Sequence, residues 1–458
     1  MLPPYNLLRA QLRAVIANKE EQGHDVAGLA EELAILPDSY DFLAAFARRL
    51  ASLPLRQNWP YVEPSELEEI WAECDPARPT EPIGKISLRE ASRRVEAAFL
   101  GSVCGCVLGK PVEINPTLAQ LREVLEGAGE WPLNDYFSEQ VIAKLNGMHP
   151  SWSETARERI RYVAPDDDLN YTILGMLILE KYGINLNQDS VRDTWLIHLP
   201  IGTTFGPERT MLLKAGMNTL GGGDPAALGD WVTVLNAGDE YCGALIRADA
   251  YGYACPGRPA LAAELAWRDA SWSHRRTGIY GAMFVAAAIA AAQVMEDRLG
   301  IFRVALQFVP RRSRFYAIAA DSLSEVSKAT DWLDGYERIH GKYAQYTHCR
   351  IYQEIGTLMN TLRFAENVGD GICKQVSQGN DTDSFGATAG SLLGAYFGLG
   401  YLEPRWLEPF HNDIHTALAW FYERSLSRLA KRMGELPRRV ALELRGIRRP
   451  RRRARVTG

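Results

Sequence analysis

The sequence predicts an all-α protein: one large helical domain preceded by a smaller helical appendage. Three observations carry this. Strand-like alternation is nearly absent, apolar residues recur three and four apart in segments of helix length, and Gly, Pro and Asn punctuate the gaps. The 458 residues could form two or three domains, or one large core with additions.

The elements follow in chain order. In YNLLRAQLRAVIANKEE the apolar positions 7, 8, 12, 15 and 16 mark one helix face. DSYDFLAAFARRLASL reads as a helix with Asp38 as its N-cap, and SELEEIWAEC as one opened by a Ser65/Glu68 capping box. The three prolines of DPARPTEPIG (75–84) then read as a linker, so residues 1–85 are predicted to be the appendage. Residues 86–424 are predicted to be the main helical domain. Residues 425–458 read as a basic C-terminal tail, ending in six arginines between 448 and 455.

Composition narrows the function. Charged residues at 23% and hydrophobic ones at 47% are ordinary for a globular protein, and a net charge of −5 gives no global attraction to nucleic acid. Only the arginine run offers a surface to RNA, an acidic partner or a membrane surface. Seven scattered cysteines read as reduced thiols in a cytoplasmic protein, and Cys104-x-Cys106 has no neighbouring ligands to complete a zinc site. The start lacks the basic and apolar regions of a signal peptide. Thr277–Met295 is uncharged but alanine-rich, so it reads as a buried core helix and no membrane role is expected. The oligomeric state stays open.

Three stretches carry the chemistry. In AAFLGSVCGCVLGKPVE, Gly101, Gly105 and Gly109 share one helix face, followed by Pro111 and Glu113. In APDDDLNYTILGMLILEKYG, Asp166, Asp167 and Asp168 precede an apolar helix. One or two acids would suffice for capping and for the helix dipole; three adjacent ones repel unless solvated or neutralised. In SQGNDTDSFGATAGSLLGAYFG, Asp381, Asp383 and Ser384 stand before a helix with glycines at 386, 390, 394 and 398. Each interior glycine costs roughly 1 kcal/mol against alanine, which close helix packing would explain. Two oxygen-rich clusters at helix N-termini suit Mg²⁺, Mn²⁺ or Ca²⁺, provided the fold brings them together.

In this order the three stretches resemble the ADP-ribosylglycohydrolase family, which includes the dinitrogenase-reductase-activating glycohydrolases and the ADP-ribosylhydrolases. They are similar to its G-D-A-L-G-x-P-x-E, T-D-D-T-Q and G-G-D-T-D-T segments, and WRDASWSHRRTGIYGAMFVAAAIAAA (267–292) is similar to a fourth. The resemblance covers about residues 90–400. It implies an orthogonal helical bundle with two Mg²⁺ ions (Mn²⁺ as a substitute) in a cleft, and hydrolysis of the bond between ADP-ribose and a protein side chain or small acceptor. It implies Asp166, Asp167, Asp168, Asp381, Asp383 and Ser384 as metal ligands and Glu113 with Asp167 as catalytic. Gly202, Thr203, Arg247 and His274 are the implied substrate contacts.

The matches are not complete. The family's threonines are Asp166 and Leu169 in the first acid block, and the aspartate of its G-D-A-L-G is Cys106. Pro200 stands where the nitrogenase-type enzymes carry a catalytic aspartate, and Cys242 where they carry an asparagine. The metal cluster therefore reads as intact and the acceptor pocket as redrawn. A non-catalytic ADP-ribose-binding module on the same fold is the alternative. A haloacid-dehalogenase-type phosphatase would need an apolar strand before its acids, and KQVSQGN is not one. His411 and His415 read as one helix face, and Tyr251 and Tyr253 as candidates to stack on adenine.

Overall fold

The computed structural model describes residues 3–145, 149–220 and 228–446, and these contain 23 α-helices and no β-strand. At the centre, two antiparallel helices, Leu88–Gly109 and Thr382–Phe397, make the most extensive helix–helix contact in the molecule. Their glycine stripes face each other. A Cβ on Gly105 would lie 2.0 Å from the Gly386 carbonyl oxygen, one on Gly109 2.1 Å from that of Thr382, and one on Gly390 2.0 Å from that of Gly101. No side chain fits between these backbones, so the glycines that weaken each helix alone allow the pair to close.

The helix Thr277–Ala292 is buried along its whole length, as its alanine-rich sequence predicts. Leu88–Val112 is the one described stretch long and apolar enough to cross a bilayer, and 83% of its apolar window is buried inside the protein.

The first three helices, Tyr5–Glu21, Leu29–Ile35 and Tyr40–Ala51, enclose a small core of their own around Leu12, Leu33, Leu43 and Leu50. Its outer wall is Val234, Leu235 and Ala237 of the main body. Ser39, not Asp38, is the residue before the third helix; Asp38 pairs with Arg9 instead. The Ser65 capping box does not form either, because Ser65 Oγ accepts from the Arg276 amide.

Residues 425–444 are not tail. They form the helices Leu426–Gly434 and Leu436–Leu444, and Leu426, Leu429, Ala430, Met433, Leu436 and Val440 join the main core. The arginine run from 448 lies outside the described residues. His411 and His415 share no helix: His411 has φ 50°, and His415 stacks on Tyr162 beside Asp413.

Candidate active site

A cleft of about 590 Å³ opens where several helix starts converge, and its size suits a small-molecule ligand. Asp166 caps the helix Asp167–Tyr182, its side chain accepting from the Asp168 amide at 2.9 Å. On the other side, Gly379 (φ 81°) and Asn380 (φ 62°) make two consecutive left-handed steps that set Asp381 at the head of its helix. A Cβ on Gly379 would lie 2.1 Å from the Pro116 carbonyl, so only glycine fits that turn. Asp383 Oδ1 accepts from the Ser384 amide at 2.8 Å.

The two acid blocks, more than 200 residues apart in sequence, meet at one ammonium. Lys110 Nζ lies 2.9 Å from Asp166 Oδ2, 2.6 Å from Asp383 Oδ2 and 2.9 Å from Glu113 Oε2. Burial opposes its charge, but Asp166, Asp383 and Glu113 outweigh that and raise the lysine well above its ordinary range. Asp383 is buried, yet Lys110 and hydrogen bonds from Glu113 and Asp381 hold it ionised, down to about 2. Burial and then the Asp383 charge push the Glu113 carboxyl up to about 9. Burial and neighbouring carboxylates likewise raise Asp167, Asp168 and Asp381.

One lysine does not neutralise this floor. Asp168 Oδ1 and Asp381 Oδ1 are buried and accept no hydrogen bond, which is how carboxylates stand when a cation is their intended partner. At the Asp166–Asp168 end the donors are carboxylate oxygens with the buried Cys106 beside them, and burial keeps that thiol protonated. This end fits a hard divalent cation. At the Asp381 end the neighbours are Cys242, His348 and Cys349.

Of the residues expected from sequence, Glu113, Asp166, Asp167, Asp381, Asp383, Ser384 and Thr203 line the cleft. Asp168 is buried behind it. Gly202 is exposed just outside the lining. Arg247 and His274 do not reach the cleft. The guanidinium of Arg247 donates to Glu208, Ser273, the Gly243 carbonyl and both the carboxylate and the carbonyl of Asp269, which uses all five of its N–H groups. His274 is fully buried, bonded to Ser273 and kept neutral by burial and Arg247. Arg247 holds Glu208, which does line the cleft. Tyr251 and Tyr253 are also fully buried, on the helix Asp249–Ala254, so neither stacks on a ligand.

Sequence reasoning passed over Lys110, Tyr241, His348 and Cys349, and named Cys242 only as a departure from the family's asparagine. Lys110 stood inside a matched segment, and its place three residues before Glu113 was the available signal. The others come from separate loops with no ligand spacing, and nothing in the chain order marks them.

Fold and floor together define a helical protein that concentrates carboxylates on helix N-termini around a cation-hungry cleft. A family model described as ADP-ribosylglycohydrolase matches residues 87–440, and the chain belongs to that family. Membership places it among glycosidic hydrolases. A search of curated proteins finds no match. The chain is similar to a solved structure named "ADP-ribosylglycohydrolase-related protein complex", at 18% identity over 77% of this chain and 99% of that one, with a TM-score of 0.49.

Proposed function

We propose that the protein is a Mg²⁺-dependent hydrolase that cleaves a ribosyl glycosidic bond, removing ADP-ribose from a modified side chain or small acceptor. The observation that carries this is the meeting of Asp166, Asp383 and Glu113 at one point on the cleft floor. The residues that would hold two cations are Asp166, Asp167 and Asp168 at one end and Asp381 at the other, with Asp383 and Ser384 beside them. When bound, such an ion supplies a Lewis acid that polarises oxygen and lowers the pKa of a coordinated water.

Glu113 is the acid–base group. Burial and the Asp383 charge raise its carboxyl, the direction that suits a proton donor to the leaving atom as positive charge builds on the anomeric carbon. Asp167, which also lines the cleft and is raised by burial and the Asp166 charge, completes the catalytic pair. Three helices present their N-termini to the cleft through Asp167, Gly206 and Asp383, which favours the anionic diphosphate. Phe205, 60% exposed at the lining, and Tyr241 offer ring faces to a base. The seven unpaired thiols suit a reducing, cytoplasmic setting.

Lys110 favours a second reading, a binding module without turnover, because its ammonium already engages three of the acids. One experiment separates the two. Mg²⁺ should raise the melting temperature, and ADP-ribose should raise it further. Free ADP-ribose should then appear from ADP-ribosylated arginine, serine or nucleic acid. Asp383→Ala should abolish the release, and Glu113→Gln should slow it on the order of 10²- to 10⁴-fold. If all three substrates stay intact while the metal and ADP-ribose shifts are present, the module reading stands and the enzyme reading falls.

A further inference from the structure

We propose that the Asp381 end of the cleft is a thiolate site for one divalent cation of the Zn²⁺ class, held by Cys242, Cys349, His348 and Asp381. The inference rests on the hydrolase reading for its purpose, but the site is argued from its own geometry.

Cys242 Sγ lies 3.4 Å and Cys349 Sγ 3.6 Å from the same oxygen, Asp381 Oδ2. In a tetrahedral zinc centre, Zn–S bonds of about 2.3 Å and Zn–O bonds near 2.0 Å place sulfur and oxygen ligands about 3.5 Å apart. The two sulfurs and the carboxylate oxygen all lie within 4.8 Å of one another, and the same holds for His348, Asp381 and Glu113. His348 Nδ1 is 3.9 Å from Asp381 Oδ1. Both of these atoms are buried without a hydrogen-bond partner, on a carboxylate only 1% exposed. The ring nitrogen and the carboxylate face each other beside two thiols that point at the same carboxylate, so nitrogen, sulfur and oxygen donors converge on Asp381.

The surrounding structure holds this geometry. The turn Cys242–Ala244 is tied to the 347–351 loop by the Cys242 amide donating to the Cys349 carbonyl at 3.1 Å. That loop takes two left-handed steps at non-glycine residues, Cys349 (φ 65°) and the β-branched Ile351 (φ 71°). Such steps cost on the order of 1–3 kcal/mol each and persist where the surroundings impose them. Here Glu354 imposes them, accepting from the Ile351 amide at 2.9 Å and the Asp381 amide at 3.3 Å. One buried carboxylate therefore sets both the cysteine loop and the aspartate.

The remaining cysteines make the contrast. Cys74, Cys104, Cys106, Cys255 and Cys373 are buried away from the cleft, whereas Cys242 and Cys349 line it. Magnesium has little affinity for sulfur, while thiolate, imidazole and carboxylate together select zinc-like ions. Binding requires both thiols as thiolates, His348 as the neutral imidazole and Asp381 as the carboxylate, so it releases the protons these groups hold, with no change of oxidation state.

The test uses the full-length reduced protein, freed of metal by chelator and titrated with Co²⁺. The expected result, with Mg²⁺ present to compete for the carboxylate end, is a thiolate-to-cobalt charge-transfer band that saturates at one Co²⁺ per chain. Zn²⁺ in equimolar amount should remove the band, and millimolar Mg²⁺ should not. Cys349→Ser should lose the band, and Cys373→Ser should keep it. On the wild-type protein, bound Zn²⁺ should protect Cys242 and Cys349, and no other thiol, from alkylation read by mass spectrometry; this arm needs no variant to fold. Co²⁺ uptake without the band, displacement by Mg²⁺, or two cleft thiols alkylated as fast with Zn²⁺ as without it would each overturn the site. A band without ADP-ribose release would remove the hydrolase reading alone, and release without a band would remove this one alone.

Discussion

At Lys110 a single side chain carries the positive charge against which three carboxylates are arranged, and it is only 15% exposed. Removing one partner of a buried ionic cluster leaves charge uncompensated, at a cost on the order of 3–5 kcal/mol. Lys110→Met should therefore lower the melting temperature in chelator by several degrees, and Mg²⁺ should restore more in the variant than in the parent. Differential scanning fluorimetry with and without Mg²⁺ reads both. A second residue gives a pH signature away from the floor. Burial pushes the Asp249 carboxyl up to about 7, against the hydrogen bond that Ser391 donates to it. The folded state then keeps this proton up to about pH 7, whereas the unfolded chain releases it near 3.8. Between those values the folded state binds more protons, so stability falls as pH rises, by at most about 1.4 kcal/mol per unit. Asp249→Asn removes that slope. Urea unfolding at pH 5 and pH 7 should show the variant gaining on the parent at the higher pH; a constant difference would contradict the assignment.

Among the elements, the paired glycine helices set the distance between the acid blocks, because one ends at Gly109 beside Lys110 and the other begins at Thr382. Thr382 Oγ1 donates to the Gly109 carbonyl at 2.9 Å, joining the two ends. Gly105→Ala would put a methyl 2.0 Å from the Gly386 oxygen, and neither backbone can yield without parting the helices. Overpacking of this kind costs typically about 1–3 kcal/mol, and here it should also weaken Mg²⁺ binding as the floor spreads. Gly127 is the control: it is helical, and an added Cβ there meets nothing within 4 Å. Gly127→Ala should be neutral or stabilising by up to about 1 kcal/mol, with Mg²⁺ binding unchanged. Denaturant melts and Mg²⁺ titration of both variants check the pair. The stripes and acid runs were legible in sequence because period and charge are local signals. Their mutual approach was inferable only from the glycines' otherwise unexplained cost. Arg247 and His274 misled because a motif match gives position along the chain, not which way a side chain faces.

Across the whole molecule, the boundaries were the least readable feature. The arginines between 428 and 439 hid an amphipathic pattern, with Leu426, Leu429, Ala430 and Met433 on one buried face, so packed helices looked like tail. The appendage was visible as helices, but its bearing on the cleft was not, since the link runs through single buried polar residues. Asn18, 7% exposed, accepts from the Gly238 amide at 2.7 Å and donates to the Tyr241 hydroxyl at 3.0 Å. Gln22 donates to Asp239 at 2.6 Å, and Arg350 pairs with Glu21 while lying over the Tyr241 ring. The appendage thus braces the 238–242 segment, which delivers Tyr241 and Cys242 to the cleft wall, and also touches the loop that carries His348 and Cys349. Asn18→Ala leaves the buried Gly238 amide unpaired, a loss of about 1–3 kcal/mol, and frees the half-buried Tyr241 hydroxyl. The loss should be local: amide exchange should quicken at 238–243 while the buried helix 277–292 keeps its protection. ADP-ribose should then bind more weakly with turnover of bound substrate little changed, because Glu113 and Asp383 are held by other elements. Uniform loss of protection would instead mean that the appendage stabilises the body as a whole and has no special hold on the cleft.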